Sequence, residues 1–163
     1  MKHLNVVLLS LLLPAMTMAA DLVKEVRHEL VTLPYYGVFD NLSYRVDGSR
    51  VTLFGQVTQP KLKDDAAKAV KGIEGVTAVD NQIEVLPLSS SDDSIRRAAY
   101  GAIYAKLDRY QFSAVPSIHI IVKNGNITLE GVVSMEMDKD IAGIAAKGVS
   151  GAHGVTNNLR VEK

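Results

Sequence analysis

Cysteine is absent from all 163 residues. That excludes disulfides, thiolate chemistry and cysteine metal ligation, and leaves no residue for the lipid of a lipoprotein. Net charge is absent too: 18 Lys and Arg face 18 Asp and Glu. So balanced a chain has no electrostatic footprint for nucleic acid. Any pull toward anionic lipid must be local. The four histidines, His3, His28, His119 and His153, never pair at metal-ligand spacing. His28, His119 and His153 read as surface residues. No G-x-S-x-G elbow supports a serine nucleophile. Asp138 and Asp140 in EMDKD lack the further ligands of a calcium loop and read as a charged helix start, as do Asp64 and Asp65. No cofactor, no metal and no enzymatic chemistry are expected.

A long hydrophobic run is also missing. The apolar stretch from Leu4 to Leu13 is broken by Asn5 and Ser10 and is too short to span a bilayer with ease. Lys2 precedes it, and Pro14 and small residues follow. This is the pattern of a secretory signal peptide over residues 1–20, cleaved after Ala19 or Ala20. The mature chain is expected in a bacterial periplasm, with no stable transmembrane anchor. Without Lys2 it carries 17 basic against 18 acidic residues, a net charge of −1.

What the chain does have is a repeat. RVDGSRVTLFGQV at 45–57 returns as IVKNGNITLEGVV at 121–133, a shift of 76 positions. The match runs without a gap from Val46 to Val85. Thr52, Leu53, Gly55 and Val57 meet Thr128, Leu129, Gly131 and Val133. Lys71-Gly72, Gly75, Asn81 and Val85 meet Lys147-Gly148, Gly151, Asn157 and Val161. The period exceeds that of solenoid units, so each copy should own a core.

Each copy reads αββαβ. Leu22, Val23, Val26, Leu30 and Val31 recur at helical spacing, predicting a helix near 21–32 that Pro34 ends. Leu42, Tyr44 and Val46 alternate as a strand, as do Ile118, Ile120 and Val122. Asp47-Gly48 and Asn124-Gly125 signal hairpin turns. Gly55 and Gly131 fall on the apolar face of the returning strands, where a side chain is expected to collide with a helix packed across the sheet. A second helix is predicted near 60–72 and 136–148, its inward stripe formed by Ala66, Ala69, Val70 and Ile73, then Ala142, Ala145, Ala146 and Val149. A last strand runs from Val79 to Val85 and from Val155 to Val161. Asn81 and Asn157 interrupt its apolar alternation and read as amides tying neighbouring backbone. KGIEG and KGVSG, ending at Gly75 and Gly151, resemble an RNA-binding GXXG loop but join a helix to a strand, with glycine as the helix stop.

The predicted domains are 21–86 and 93–163, joined by a linker at 87–92. The surrounding LPLSSSDDS offers an N-cap from Ser91 or Asp93. Units this small are marginal alone, so the two are expected to pack on each other.

The layout resembles tandem BON domains, a bacterial family found in osmotically inducible periplasmic proteins. VTLFGQV and NITLEGVV carry the likeness, with the alanine-rich helix after each and the endings GVTAVDNQIEV and GAHGVTNNLRV. The resemblance implies an α+β fold, each domain a three-stranded mixed sheet against two helices. It implies a non-enzymatic envelope role under osmotic stress, with phospholipid as the partner. Some members carry a lipid anchor; the lack of cysteine sets this chain apart from them.

The aromatics are few, and they cluster. Arg96 and Arg97 precede Tyr100 and Tyr104 on one predicted helix, with Tyr110 and Phe112 beyond. Arginine with tyrosine on one face suits an interfacial lipid contact. The same aromatics could instead seal the joint between the domains. Tyr35, Tyr36 and Phe39 form the alternative surface, for another envelope protein. Oligomeric state is left open.

Overall fold

The computed structural model describes residues 13–162. Most of the predicted leader, residues 1–12, lies outside the described residues. The chain forms two units of like topology. In the first, helix α1 (Leu13–Val31) precedes the hairpin of β1 (Asn41–Asp47) and β2 (Arg50–Val57). Helix α2 (Pro60–Lys71), β3 (Ala78–Asn81) and β4 (Glu84–Val85) follow. The second unit repeats this with α3 (Ser90–Tyr104), β5 (Ile118–Lys123), β6 (Asn126–Val133), α4 (Glu136–Lys147), β7 (Gly154–Asn157) and β8 (Arg160–Val161). A 3-10 turn, Asp108–Tyr110, lies in its longer helix-to-strand loop. Helix α1 begins well before the expected residue 21. No glycine or proline lies between Pro14 and Pro34 to break it.

Each sheet is mixed. β1 and β2 run antiparallel with Leu42 opposite Gly55, and β3 and β4 run parallel to β2. The expected last strand is therefore broken in two. Asn81 makes the break: its Nδ2 donates to the Lys63 carbonyl at 2.9 Å, and its Oδ1 accepts from Ile83 N at 3.3 Å. Asn157 repeats both bonds, at 2.7 Å to Lys139 O and 3.2 Å from Leu159 N. The kink drives Ile83 and Leu159 into their cores, each about 1% exposed. The amides thus tie strand to helix, as expected.

Gly55 and Gly131 correct the expectation about their obstacle. Their φ angles are +116° and +122°. A Cβ there would stand 2.0 Å from Asn41 O and 2.1 Å from Ser117 O. The neighbouring strand, not a helix, forbids the side chain. In the second hairpin the turn residues Asn124 and Gly125 both have positive φ. In the first hairpin the pair is shifted by one, to Gly48-Ser49. Likewise, helices α2 and α4 end before Gly72 and Gly148 with right-handed φ, and the left-handed residues come later, at Gly75 and Gly151.

Two cores result. One gathers Val26, Leu30, Val51, Leu53, Val57, Leu62, Ala66, Val70 and Ile83. The other gathers Ile95, Ala99, Ile103, Ile118, Ile120, Leu129 and the alanine stripe of α4. Val38 and Phe39 of the first unit pack against the second core, so the units do pack on each other. Among the described residues no helix is long and apolar enough to cross a membrane.

Candidate functional site

The predicted lipid face sits on α3. Ser89 is its N-cap, accepting from Asp92 N at 3.2 Å, two to four residues before the expected caps Ser91 and Asp93. Ile95, Ala99 and Ile103 form its apolar stripe. Beside that stripe, at a spacing of four, runs a polar ridge: Asp92, Arg96, Tyr100, Tyr104. The ridge lies along the outer edge of β5. Asp92 accepts from Asn124 N at 2.9 Å and Gly125 N at 2.8 Å, pinning the hairpin turn. Arg96 donates to Val122 O at 2.7 Å and pairs with Asp93. Tyr104 donates to Ile118 O at 3.1 Å. The Arg96 and Tyr104 bonds satisfy main-chain groups that an edge strand would leave open.

This placement corrects the reading of the face as a lipid surface. Arg96 is 4% exposed and Tyr104 5%. Burial pushes the Tyr104 hydroxyl up to about 12. The Nε of Arg96 has no partner among the described residues, a buried N–H left over from a guanidinium aimed inward. Tyr100 is half-buried, its ring 4.6 Å from that of Tyr104 and 6.2 Å edge-on to Phe39. Tyr110 is buried as well, donating to Asp138 Oδ2 at 2.6 Å and accepting from Ser134 N at 2.8 Å. Asp138, expected on a solvated helix start, is 2% exposed and also pairs with Arg109. Burial raises its carboxyl, but the Tyr110 hydroxyl and Arg109 outweigh that and hold it below the usual carboxylate range. Only Arg97 and Phe112 of the six residues are exposed. Arg96, Tyr100 and Tyr104 do share a helix face, but that face looks into the protein, and Arg97 lies off it.

The alternative surface is also largely spent. Val38 O accepts from Ile120 N at 2.7 Å, so residues 37–39 lie against the β5 edge. The Tyr36 ring stacks on His119 at 5.4 Å between centroids. Tyr35 alone stays exposed, with φ at +69°. His119 is 7% exposed, which corrects its reading as a surface histidine; His28 and His153 are exposed as expected. The alternation of β5 suggested one open face, but the first unit covers it. The bonds around His119 define one neutral tautomer. Nδ1–H faces Gly37 O at 3.3 Å, and Nε2 accepts from the Tyr36 hydroxyl at 3.4 Å, which itself accepts from Leu42 N. Burial holds the imidazole below its ordinary range and pushes Tyr36 up to about 12.

Open clefts join the units; one, of about 650 Å³, has walls from Tyr36, Leu42 and Ser43 of the first and Ser113, His119 and Arg160 of the second. Another, of about 380 Å³, is lined by Phe39, Thr58, Leu86, Leu88 and Arg97, with Asp93 and Arg96 at its wall. Leu88 is 98% exposed beside the exposed Arg97. The sequence reading missed Leu88 by treating the linker only as a connector; a lone leucine among serines and prolines was the available signal.

Comparison with known proteins agrees with this architecture. The BON domain family matches residues 19–87 and 92–163. The chain belongs to the BON domain family. It is 32% identical over 129 residues to osmotically-inducible protein Y of Escherichia coli, covering 75% of this chain and 62% of that one. It is 32% identical over 100 residues to the outer membrane lipoprotein DolP of Haemophilus influenzae, covering 60% and 51%. The chain thus spans between half and two thirds of the length of these relatives. Among solved structures, the C-terminal domain of CdsD, a structural protein of the type III secretion system of Chlamydia trachomatis, is similar over 88% of this chain and 98% of that one. The TM-score is 0.36 and the identity 13%, too loose a likeness to argue from.

Proposed function

We propose that the chain is a non-enzymatic periplasmic binding protein of the cell envelope, acting under osmotic stress and contacting phospholipid surfaces. The relatives support the setting: one is named for osmotic induction and one as an outer membrane lipoprotein. The leader-like residues 1–20 support export. The observation that carries the lipid contact is the pairing of Leu88, 98% exposed, with exposed Arg97 in one cleft. An apolar side chain enters the acyl boundary while a cation stays at the phosphates. The ionisable groups with shifted pKa in the joint, His119 and Tyr36, are hydrogen-bonded to each other and to backbone.

Flotation with neutral and anionic vesicles, at low and physiological salt, tests this. Binding to anionic vesicles should weaken with salt. A basic residue near an anionic surface contributes about 1 kcal/mol, so Arg97→Glu should weaken binding at least fivefold. Unchanged binding in that variant would remove the assignment.

A second reading, docking of another envelope protein, is favoured by α4. Met137 and Ile144 stand 67% and 68% exposed there, at positions where the first repeat has Lys61 and Lys68. Loss of a crosslinked partner on Ile144→Lys, with no vesicle binding by the wild type, would favour it over lipid.

A further inference from the structure

The joint inside this chain is one half of a pattern that the repeat writes twice. The pad Tyr36–Phe39 of the first unit lies on the β5 edge of the second. On that edge Ile118 O, Ile120 N and Val122 O have partners, supplied by Tyr104, Val38 and Arg96. Shifting by 76 positions carries this edge onto β1 and this pad onto Phe112–Val115. Neither counterpart makes that backbone pairing among the described residues; Ser113 and Val115 line, with Leu42 and Ser43 of the same chain, a cleft of about 650 Å³.

The β1 hairpin has the same register as that of β5, Tyr44 opposite Leu53 as Ile120 is opposite Leu129. The Tyr44 N–H therefore points out of the sheet, as that of Ile120 does. Leu42 N is taken by the Tyr36 hydroxyl. Beyond it, Tyr44 N, Leu42 O and Val46 O have no hydrogen-bond partner among the described residues. The ridge that lines β5 has no equivalent on α1, where Arg27 and His28 stand near the place of Tyr104. A groove of about 410 Å³ runs beside this edge, lined by Arg27, Leu30, Leu42, Ser43, Tyr44 and, from the second unit, Arg160. Residues 42–44 themselves carry no charge and no proline, the usual guards of an exposed edge; the cations of the groove are Arg27 and Arg160 in its wall. The matching pad is equally bare: Phe112 is 87% exposed, and Ser113 and Ala114 are exposed beside it.

We propose that copies of this chain associate head to tail, the Phe112–Val115 pad of one copy adding to the β1 edge of the next as Tyr36–Phe39 adds to β5 within each chain. Ala114 O accepts from Tyr44 N of the next copy, and Phe112 lies over its Ser43. Two different surfaces meet, so the contact is heterologous and repeats through successive copies, closing to a ring if the rotation allows. The inference does not depend on the lipid reading.

Sedimentation of the exported chain over a wide concentration range tests this, with two variants. Phe112→Asp spoils the pad and keeps the edge. Ser43→Lys spoils the edge and keeps the pad. Circular dichroism melts matching the wild type establish that both fold. Wild-type mass should rise past the dimer with concentration, and each variant alone should stay monomeric. An equimolar mixture of the two should form dimers and stop there, because only one competent contact remains. The proposal is overturned by a wild type that stays monomeric throughout, by association that survives in either variant, or by a mixture that stays monomeric.

Discussion

Tyr110→Phe should destabilise this protein far more than Tyr104→Phe, although both remove one buried hydroxyl. The Tyr110 oxygen serves two groups at once, the Asp138 carboxylate at 2.6 Å and Ser134 N at 2.8 Å. Removing it strips a charge-assisted bond and orphans an amide at the end of β6. A hydrogen bond to a charged group contributes about 1.5–3 kcal/mol, and the part-buried Ser134 amide left without its partner falls at the low end of the about 1–3 kcal/mol of an orphaned donor. Asp138 keeps Arg109, so the expected loss is about 3 kcal/mol rather than the full sum. The Tyr104 hydroxyl makes one neutral bond to Ile118 O, for which about 1 kcal/mol is expected. For a chain of this size those losses lower Tm by roughly 6–12 °C and 2–4 °C. Urea unfolding followed by circular dichroism reads both. A Tyr110→Phe loss no larger than that of Tyr104→Phe would refute the reasoning that the hydroxyl joins the loop to α4.

Three further outcomes follow from the same geometry. Gly131→Ala places a Cβ 2.1 Å from Ser117 O at a φ of +122°, so a loss of at least about 3 kcal/mol is expected in thermal melts. Arg96→Ala should cost about 2–3 kcal/mol by orphaning Val122 O, while Arg97→Ala stays within about 0.5 kcal/mol. The joint should weaken in acid: with the buried His119 pKa lowered from 6.5, the separated state takes up the proton first, so the docked state is fully favoured above pH 6.5 and loses stability as pH falls below it. His119→Gln should flatten that slope in urea titrations at paired pH values; an unchanged slope would assign it elsewhere.

How much of this was legible is best judged on particular residues. The repeat gave the architecture because Gly55, Gly131, Asn81 and Asn157 are forced by local backbone geometry, which local sequence records. Even there the obstacle behind the glycines was misplaced, since a strand's carbonyl leaves no mark in a pattern of apolar residues. The first helix was started too late because its N-terminal turns coincide with a leader-like composition. Arg96, Tyr104 and Tyr110 were taken for a surface because arginine and tyrosine are amphipathic: one side chain suits a membrane interface or a capped strand edge. What decides between them is whether an open edge lies opposite, and that is tertiary information. His119 was misread for the same reason, since its cover comes from residues 82 and 83 positions away, Gly37 and Tyr36.

Leu88 offers the most direct measurement. Being 98% exposed, it accepts a photo-activatable residue without disturbing either core. Illumination of cells carrying that variant should yield adducts whose mass is that of a phospholipid, and the Arg97→Glu background should remove them. Adducts to protein alone would contradict the lipid contact and move the function to a protein partner.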